Sequence, residues 1–438
     1  MEKEENWLKC LPFKPRQGKK VFVIFAAINI LIIWLYLYKS SNISYFYYQS
    51  SKPVIAKTVP LPIYNVSVYH IPLLQSKDMA PFYAEVTKKA WCFLYGIDLI
   101  DSQKRKKCIC LDNWFGLDCG IPSAVWKSDF LQEGKNANIE IRRREKPRRI
   151  ISSFVVDDYQ DILDINVYNS FSVIDLYLTI EQSNQKLSVL NRFENGQFAE
   201  WQSKIIPFQV NVSNKLEVED TVLMLKSLWD IGWKRLSDFR PDDIFIFQRA
   251  SSIITKDVLL FLKLYDGFPE PFFFELRPLL FKFSMRMKSN STDAKLVPFR
   301  PLGCTFQFLS SMCNFEVSKL FSNNCHSQDA KSFEKNNWPL KMWTVGSIDA
   351  PSGWHCNVCC KDSCIKARQT ELKSFNMPVL KLEANSSTVE RFLDKLHSFD
   401  SGGLSFEKVV KSDPFYAPNV VLNNEKKYSY LVEIDEKF

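Results

Sequence analysis

The chain has 438 residues, with 57 Lys and Arg against 49 Asp and Glu, and a formal net charge of +8. Its hydrophobic content of 46% excludes a wholly disordered chain. The charge surplus is too mild for a dedicated nucleic-acid binder, so no nucleic-acid partner is expected. At about 150 residues per domain, the length predicts two to three domains.

The first informative segment, residues 21–38, is an uncharged apolar run. Its length lies at the short end of the roughly 17–25 residues that span a bilayer. Cations are concentrated in residues 1–20, which predicts a cytosolic N-terminus. A buried core helix and a cleaved signal peptide are the alternatives, but the run ends without small residues for cleavage. We therefore predict a single-pass type II signal-anchor in the Golgi membrane, with the remainder lumenal.

Cysteines and glycosylation acceptors agree with this prediction. Eleven of the twelve cysteines follow the apolar run, as an oxidising compartment favours. Asn-x-Ser/Thr acceptors also follow it. We expect N-glycosylation at Asn65, Asn211, Asn290 and Asn385, and Asn42 is a further sequon close to the predicted membrane.

Composition divides the chain into seven predicted regions. They are a cytosolic tail (1–20), the anchor (21–38), a stem (39–90), a cysteine unit (91–122), a basic linker (123–148), a lumenal catalytic-type domain (149–425) and a C-terminal tail (426–438).

The cysteine unit contains Cys92, Cys108, Cys110 and Cys119. Four cysteines allow three pairings, so their spacing alone does not fix the disulfides. The C-x-C pair followed by an aromatic residue, a glycine and a final cysteine resembles the C-terminal half of an EGF-like module. That resemblance implies the pairs Cys92–Cys108 and Cys110–Cys119. Zinc binding is the alternative, although no histidine lies nearby.

The large domain alternates apolar runs with amphipathic stretches, which predicts an α/β fold with a mostly parallel sheet. Predicted strands cover 150–156, 172–180, 204–212 and 243–247, and predicted helices cover 219–236 and 257–267. The basic run before the first strand, 141–149, is interpreted as a solvated entry to the domain or as a contact for acidic groups such as a nucleotide diphosphate.

Near the C-terminus, Trp354-His355-Cys356-x-x-Cys359-Cys360 could be a metal site. In an oxidising compartment we expect disulfides instead, and we include Cys356 and Cys359 among the paired cysteines. His355 is interpreted as a packed or hydrogen-bonded histidine.

Several stretches, in order, resemble the β-1,4-mannosyl-glycoprotein β-1,4-N-acetylglucosaminyltransferases, which add bisecting GlcNAc to N-glycans. They are Pro147–Ile150, Arg240–Ile246, Phe261–Gly267, Glu270–Phe272, Gly353–Cys356 and Tyr416–Pro418. The resemblance implies a Rossmann-like glycosyltransferase A-type domain, UDP-GlcNAc as donor, an N-glycan mannose as acceptor, and Mn²⁺ or Mg²⁺ as cofactor. It also leaves room for an oligomer with another glycosyltransferase.

The chain departs from the family where the metal would bind. Family members have Ile-Asp-Asp-Ala-Asp-Glu-Ile-Pro after the shared Arg-Pro-Asp-Asp-Ile-Phe-Ile, whereas this chain continues as Phe247–Ile254 without a carboxylate. The altered motif positions are Gln248, Arg249, Ser251 and Ser252. Hard cations need oxygen ligands, so we assign no metal ligand here.

Three hypotheses follow. The chain is a catalytically inactive glycan- or partner-binding relative, a transferase in which Arg249 replaces the metal at the diphosphate, or a structural lumenal partner. In a transferase, the candidates for the base are Glu181, Asp257 and Glu270, each with a structural alternative such as helix capping by Asp257. Arg148 and Arg149, with Arg249, are the candidate donor contacts.

Overall fold

A computed structural model describes much of the unit spanning 61–438. The described residues are 71–72, 78–88, 90–133, 141–156, 160–182, 189–198, 203–210, 218–289, 299–325, 333, 340, 342–361 and 404–432.

The strands are short and run through the whole described region. They are β1 (Ile71–Pro72), β2 (Tyr83–Thr87), β3 (Ala90–Phe93), β4 (Trp114–Phe115), β5 (Ile121–Pro122), β6 (Arg142–Arg143), β7 (Ile150–Val155), β8 (Leu176–Gln182), β9 (Ile205–Val210), β10 (Leu236–Ser237), β11 (Ile244–Arg249), β12 (Ser252–Ile254), β13 (Tyr265–Asp266), β14 (Phe272–Phe274), β15 (Leu276–Leu280), β16 (Lys282–Ser289), β17 (Leu302–Thr305), β18 (Trp343–Val345), β19 (Gly353–Asn357) and β20 (Leu404–Lys408).

Helices connect and cover these strands. They are α1 (Leu99–Arg105), α2 (Ser123–Trp126), α3 (Asp129–Glu133), α4 (Gln160–Ser170), α5 (Val189–Glu194), α6 (Val218–Gly232), α7 (Lys256–Leu264), α8 (Phe306–Ser311), α9 (Val317–Phe321) and α10 (Asn419–Leu422).

The central sheet has seven strands in the order β18-β14-β17-β11-β7-β8-β9. Strands β11, β7, β8 and β9 are parallel neighbours. Strand β17 is antiparallel to both β11 and β14. The carboxyl ends of the four parallel strands therefore lie along one edge of the sheet, which we call the carboxyl edge, and their amino ends lie along the opposite, amino edge.

Side chains alternate between two buried layers across this sheet. Ile150 and Ile246 belong to the core that also contains Val258 of α7, whereas Ile151 and Phe245 belong to the core that contains Trp229 of α6. Alternate residues of a strand point to opposite faces, so both faces of the central strands are covered. This explains why their sequences are almost continuously apolar.

A second sheet has five strands in the order β12-β19-β15-β16-β20. Strand β12 follows β11 after two residues and pairs antiparallel with β19. The polypeptide thus passes from the carboxyl edge of the central sheet directly into the second sheet.

The cysteine unit consists of the β2–β3 hairpin, helix α1 and two disulfides, Cys92–Cys108 and Cys110–Cys119. It also contacts β13, the short strand that follows α7 and pairs with β6. Asp118 accepts a hydrogen bond from the Tyr265 hydroxyl at 2.8 Å.

These observations correct the predicted architecture. The fold is a mixed α/β arrangement with antiparallel pairs in the central sheet and a separate second sheet. Several of the strands from β14 to β20 pair with strands that are distant in sequence. Four of the six strand pairings in the central sheet are parallel, as the sequence predicted, and the correction concerns the two antiparallel pairings and the predicted transmembrane helix, which no described helix provides.

The predicted anchor is also corrected. Among the residues that the structure describes, no helix is long and apolar enough to cross a membrane, and 21–38 itself lies outside them. The described residues therefore give no support to the predicted single-pass type II topology or to the Golgi membrane location inferred from it.

Candidate functional site

The carboxyl edge is the place where open α/β sheets bind ligands. Strand β11 ends there with Gln248 and Arg249, and the chain turns through Ala250 and Ser251 into β12. The four altered motif positions therefore lie at the edge where sheets of this kind bind ligands.

Gln248 is buried and fixed to the neighbouring strand. Its Nε2 donates to Ser152 Oγ on β7 at 2.8 Å. Its Oε1 is also buried and has no hydrogen-bond partner among the described residues. Ser251 is buried as well, and its carbonyl accepts from the Cys356 amide at 3.0 Å. These two positions hold neutral polar groups in the interior.

Ser252 and His355 form a buried pair across β12 and β19, with Oγ and Nδ1 3.1 Å apart. Desolvation, with a smaller contribution from the positive charge of Arg249, lowers the pKa of His355 to about 3. The imidazole is therefore neutral at physiological pH. An imidazole this difficult to protonate is a poor general base, so the Ser–His pair is a structural contact rather than a nucleophile and its base.

Two asparagines on α4 hold the turn between the sheets. Asn166 Nδ2 donates to the carbonyls of Ala250 and Ser252 at 3.0 and 2.8 Å. One turn later, Asn169 Nδ2 donates to the Ile254 carbonyl at 2.9 Å. Hydrogen bonds from α4 thus hold the backbone of the altered motif in place, through side chains that the sequence analysis did not single out. The sequence signal that could have identified these two asparagines is their spacing at i and i+3, which places both on one face of a helix.

The residues present do not fit a divalent ion. Mn²⁺ and Mg²⁺ prefer carboxylate oxygens, whereas these positions supply an amide, a guanidinium and two buried hydroxyls. The Arg249 charge opposes a cation at this point. Across the described ranges, no group of three or more His, Cys, Asp or Glu side chains could hold a metal ion.

Of the three carboxylates considered as a base, one lies at the carboxyl edge. Glu181, near the end of β8, is buried and accepts from the Val189 amide at 2.7 Å and from Gln209 Nε2 at 3.0 Å. Asp257 is exposed in the first turn of α7. The helix cap is Thr255, not Asp257.

Glu270 lies at the amino edge, near the opposite end of β11 from the altered motif. It accepts hydrogen bonds from the Thr305 amide and hydroxyl at 2.6 and 3.1 Å, and Thr305 pairs with Ile244, the first residue of β11. Burial raises the pKa of Glu270. The three candidates are therefore not brought together.

The amino edge also contains Arg148 and Arg149, which precede β7. Arg149 Nε donates to Asp243 Oδ1 at 2.7 Å, and both side chains are almost completely buried. Arg148 pairs with Asp266, and Arg144 binds the same carboxylate through contacts of 2.6 and 2.7 Å. Arg144, Arg148 and Arg149 of the basic run thus form ion pairs at the amino edge, separated from Arg249 by the length of the parallel strands, whereas Arg142, Arg143 and Lys146 are exposed.

Two further disulfides join Cys313 to Cys325 and Cys356 to Cys359. Cys360 is disulfide-bonded too, and Cys304 is a buried free thiol. The predicted glycosylation positions Asn65, Asn211, Asn290 and Asn385, as well as Asn42, lie outside the described residues.

In sequence, the chain is similar to glycosyltransferases that act on glycoproteins. The rat relative, Beta-1,4-mannosyl-glycoprotein 4-beta-N-acetylglucosaminyltransferase, is 26% identical over 351 residues, covering 76% of this chain and 62% of the relative. The human protein of the same name is 25% identical over 347 residues, covering 76% and 63%. These similarities confirm the resemblance recognised from the motifs.

The extent of the similarity is limited. The chain spans 62–63% of the length of these curated relatives. No family model matches the chain.

Proposed function

We propose that this protein is an N-acetylglucosaminyltransferase-like protein of N-glycan processing, which recognises UDP-GlcNAc and a β-linked mannose of an N-glycan. The observation that carries the proposal is the similarity over 76% of the chain to relatives named for that transfer. The matching stretches Pro147–Ile150 and Arg240–Ile246 border β7 and β11, the strands that build the carboxyl edge.

The transfer would use this chain's own residues in the following way. The diphosphate of the leaving nucleotide accumulates negative charge, which needs a cation. Arg249, at the end of β11, supplies a guanidinium that suits phosphate oxygens. A base must also accept the proton of the acceptor hydroxyl, and Glu181 is the candidate carboxylate at this edge.

A second candidate is recognition without transfer. It is favoured by the composition of the altered motif, where Gln248, Arg249, Ser251 and Ser252 replace the family's carboxylates. A protein of this kind would bind the glycan or the donor and release neither UDP nor product.

The two candidates are separated by UDP release from UDP-GlcNAc, measured on the full chain with a biantennary N-glycan acceptor, with Mn²⁺ or with EDTA. Turnover that resists EDTA and is lost in Arg249→Ala supports the metal-free transferase. Glycan binding without UDP release supports the second candidate. Absence of both turnover and binding to either substrate would overturn the proposal.

A further inference from the structure

A cavity of about 210 Å³ lies in the second sheet, outside the altered motif. Strands β15 and β16 and the loop at 347–351 form its walls. Three cationic side chains line it: Arg277, Arg286 and Lys288. This volume is many times the roughly 10–15 Å³ that a single water needs on the same measure, so the cavity can admit a small organic molecule.

The cations outnumber the carboxylates that neutralise them. Arg286 and Lys288 both pair with Glu407, at 3.6 and 2.8 Å, so two positive charges share one carboxylate. Arg277 pairs with Asp413 at 3.1 Å. Among the described lining residues the single acidic side chain is Glu275, which is itself paired with Arg300. The cavity therefore retains positive charge.

Two lining arginines also hold unused donors. The Nε atoms of Arg277 and Arg286 are buried and have no hydrogen-bond partner within the described part of the chain. The Arg277 side chain is only 3% exposed. A buried guanidinium N–H without a partner is unfavourable, and an anionic oxygen is its strongest acceptor.

The rest of the wall is apolar. Leu276, Pro278, Met287, Ile348 and Pro351 surround the cationic groups. Such a combination of a few polar anchors with an apolar wall is typical of small-molecule sites.

We propose that this cavity binds a small organic anion of monosaccharide size, whose carboxylate or phosphate group accepts hydrogen bonds from Arg277 and Arg286. Lys288 adds charge at the rim, and the apolar wall contacts the carbon skeleton. None of these residues belongs to the altered motif at 248–252, so the site is independent of the transfer proposed above.

The test is isothermal titration calorimetry of the full chain with three probes: glucuronate, glucose 1-phosphate and glucose. Both anions present the required oxygens, and the anion that binds more tightly shows whether the site prefers a carboxylate or a phosphate group. Because charge-assisted hydrogen bonds contribute most of the binding, we expect at least one anion to bind about tenfold more tightly than neutral glucose.

Two variants localise the binding. Arg277→Gln could fail to fold, because the side chain is buried against Asp413, so the variants are Arg286→Gln and Lys288→Gln. We expect the anion to bind about tenfold more weakly to Arg286→Gln and about threefold more weakly to Lys288→Gln.

Lys319→Gln is the matched control, since Lys319 pairs with Glu316 at 2.8 Å on the surface, as Lys288 does with Glu407. Its anion affinity should equal that of the parent protein. Equal affinity for glucose and both anions, no saturable binding of either anion, or equal losses in all three variants would overturn the site.

Discussion

The amino and carboxyl edges of the central sheet are both rich in polar side chains, but these side chains find different kinds of partner when they are buried. At the amino edge, charges are buried in pairs, as in Arg149 with Asp243. At the carboxyl edge, the buried side chains include Gln248, Ser252 and a neutral His355, and their hydrogen bonds join uncharged groups. Two of the stretches that resemble the N-acetylglucosaminyltransferases, Pro147–Ile150 and Arg240–Ile246, border the amino ends of β7 and β11, whereas a third, Gly353–Cys356, lies on β19 beside the altered motif.

This difference teaches that one sheet can bury polar side chains as ion pairs at one edge and as neutral hydrogen-bonded groups at the other. The ion pairs at the amino edge join residues that precede β7 and β11, whereas the altered motif at the carboxyl edge presents an amide, a guanidinium and hydroxyls.

The largest expected effect comes from breaking a pair at the amino edge. Asp243→Ala leaves the Arg149 guanidinium buried without its carboxylate, and we expect a loss of about 3–5 kcal/mol in the free energy of unfolding. Denaturant titration followed by circular dichroism measures it. The double variant Arg149→Met with Asp243→Leu should recover most of that loss, since it buries no charge. A single-variant loss below about 1 kcal/mol would contradict the paired-charge description.

The carboxyl edge should respond to pH through His355. Its pKa of about 3 in the folded state lies below the ordinary value of about 6.5 expected after unfolding. Between these values the unfolded chain binds one more proton, so stability falls as the pH falls, by about 1.4 kcal/mol per pH unit from this group.

His355→Gln should remove that dependence. The difference in unfolding free energy between the parent protein and this variant is measured at intervals between pH 3 and 7, which cancels the contribution of other groups. We expect the difference to shrink as the pH is lowered. Parallel stability curves would show that His355 does not remain neutral in the folded protein.

A smaller effect is expected from the two asparagines of α4 that hold the backbone of the altered motif. Asn166→Ala removes two buried hydrogen bonds to β12 and its preceding turn, at a cost of about 2 kcal/mol. Asn169→Ala removes one partly buried bond and should cost about half as much. Hydrogen exchange of the β12 amides should accelerate in Asn166→Ala more than in Asn169→Ala. The reverse order would place the main support of this turn elsewhere.

The sequence predicted the central parallel strands well, because each is an apolar run bounded by polar residues. It placed the start of β8 at 172 rather than at Leu176, since the polar group that limits the strand is Asp175, whose carboxylate accepts from the Ile150 amide. It also extended α7 to 267. The helix ends at Leu264 because Tyr265 and Asp266 pair with β6 instead.

The second sheet and the partners of the altered motif were not predictable in this way. Strand β15 pairs with β19, more than 70 positions later in the chain, and no local pattern records that pairing. Likewise, the sequence shows which polar residues stand at 248–252, but their contacts to Ser152, Asn166 and His355 depend on neighbours that are distant in sequence.

The smallest expected effect concerns the cysteine unit, which meets the fold beside the amino edge. The Tyr265 hydroxyl donates to Asp118 and accepts from the Tyr83 hydroxyl at 3.0 Å, while the ring stacks on Phe261. Tyr265→Phe keeps the ring, so only the hydroxyl contacts are lost. We expect a cost of about 1 kcal/mol in the free energy of unfolding.

A double-mutant cycle with Asp118→Ala tests whether that cost belongs to the contact between the cysteine unit and β13. If the hydroxyl stabilises the fold through Asp118, the double variant should lose less than the sum of the two single variants. Tyr95→Phe is the matched control, because Tyr95 is exposed in the same unit, and it should leave stability unchanged. Additive losses would mean that the two side chains act separately, and the amino edge would then hold the cysteine unit by packing alone.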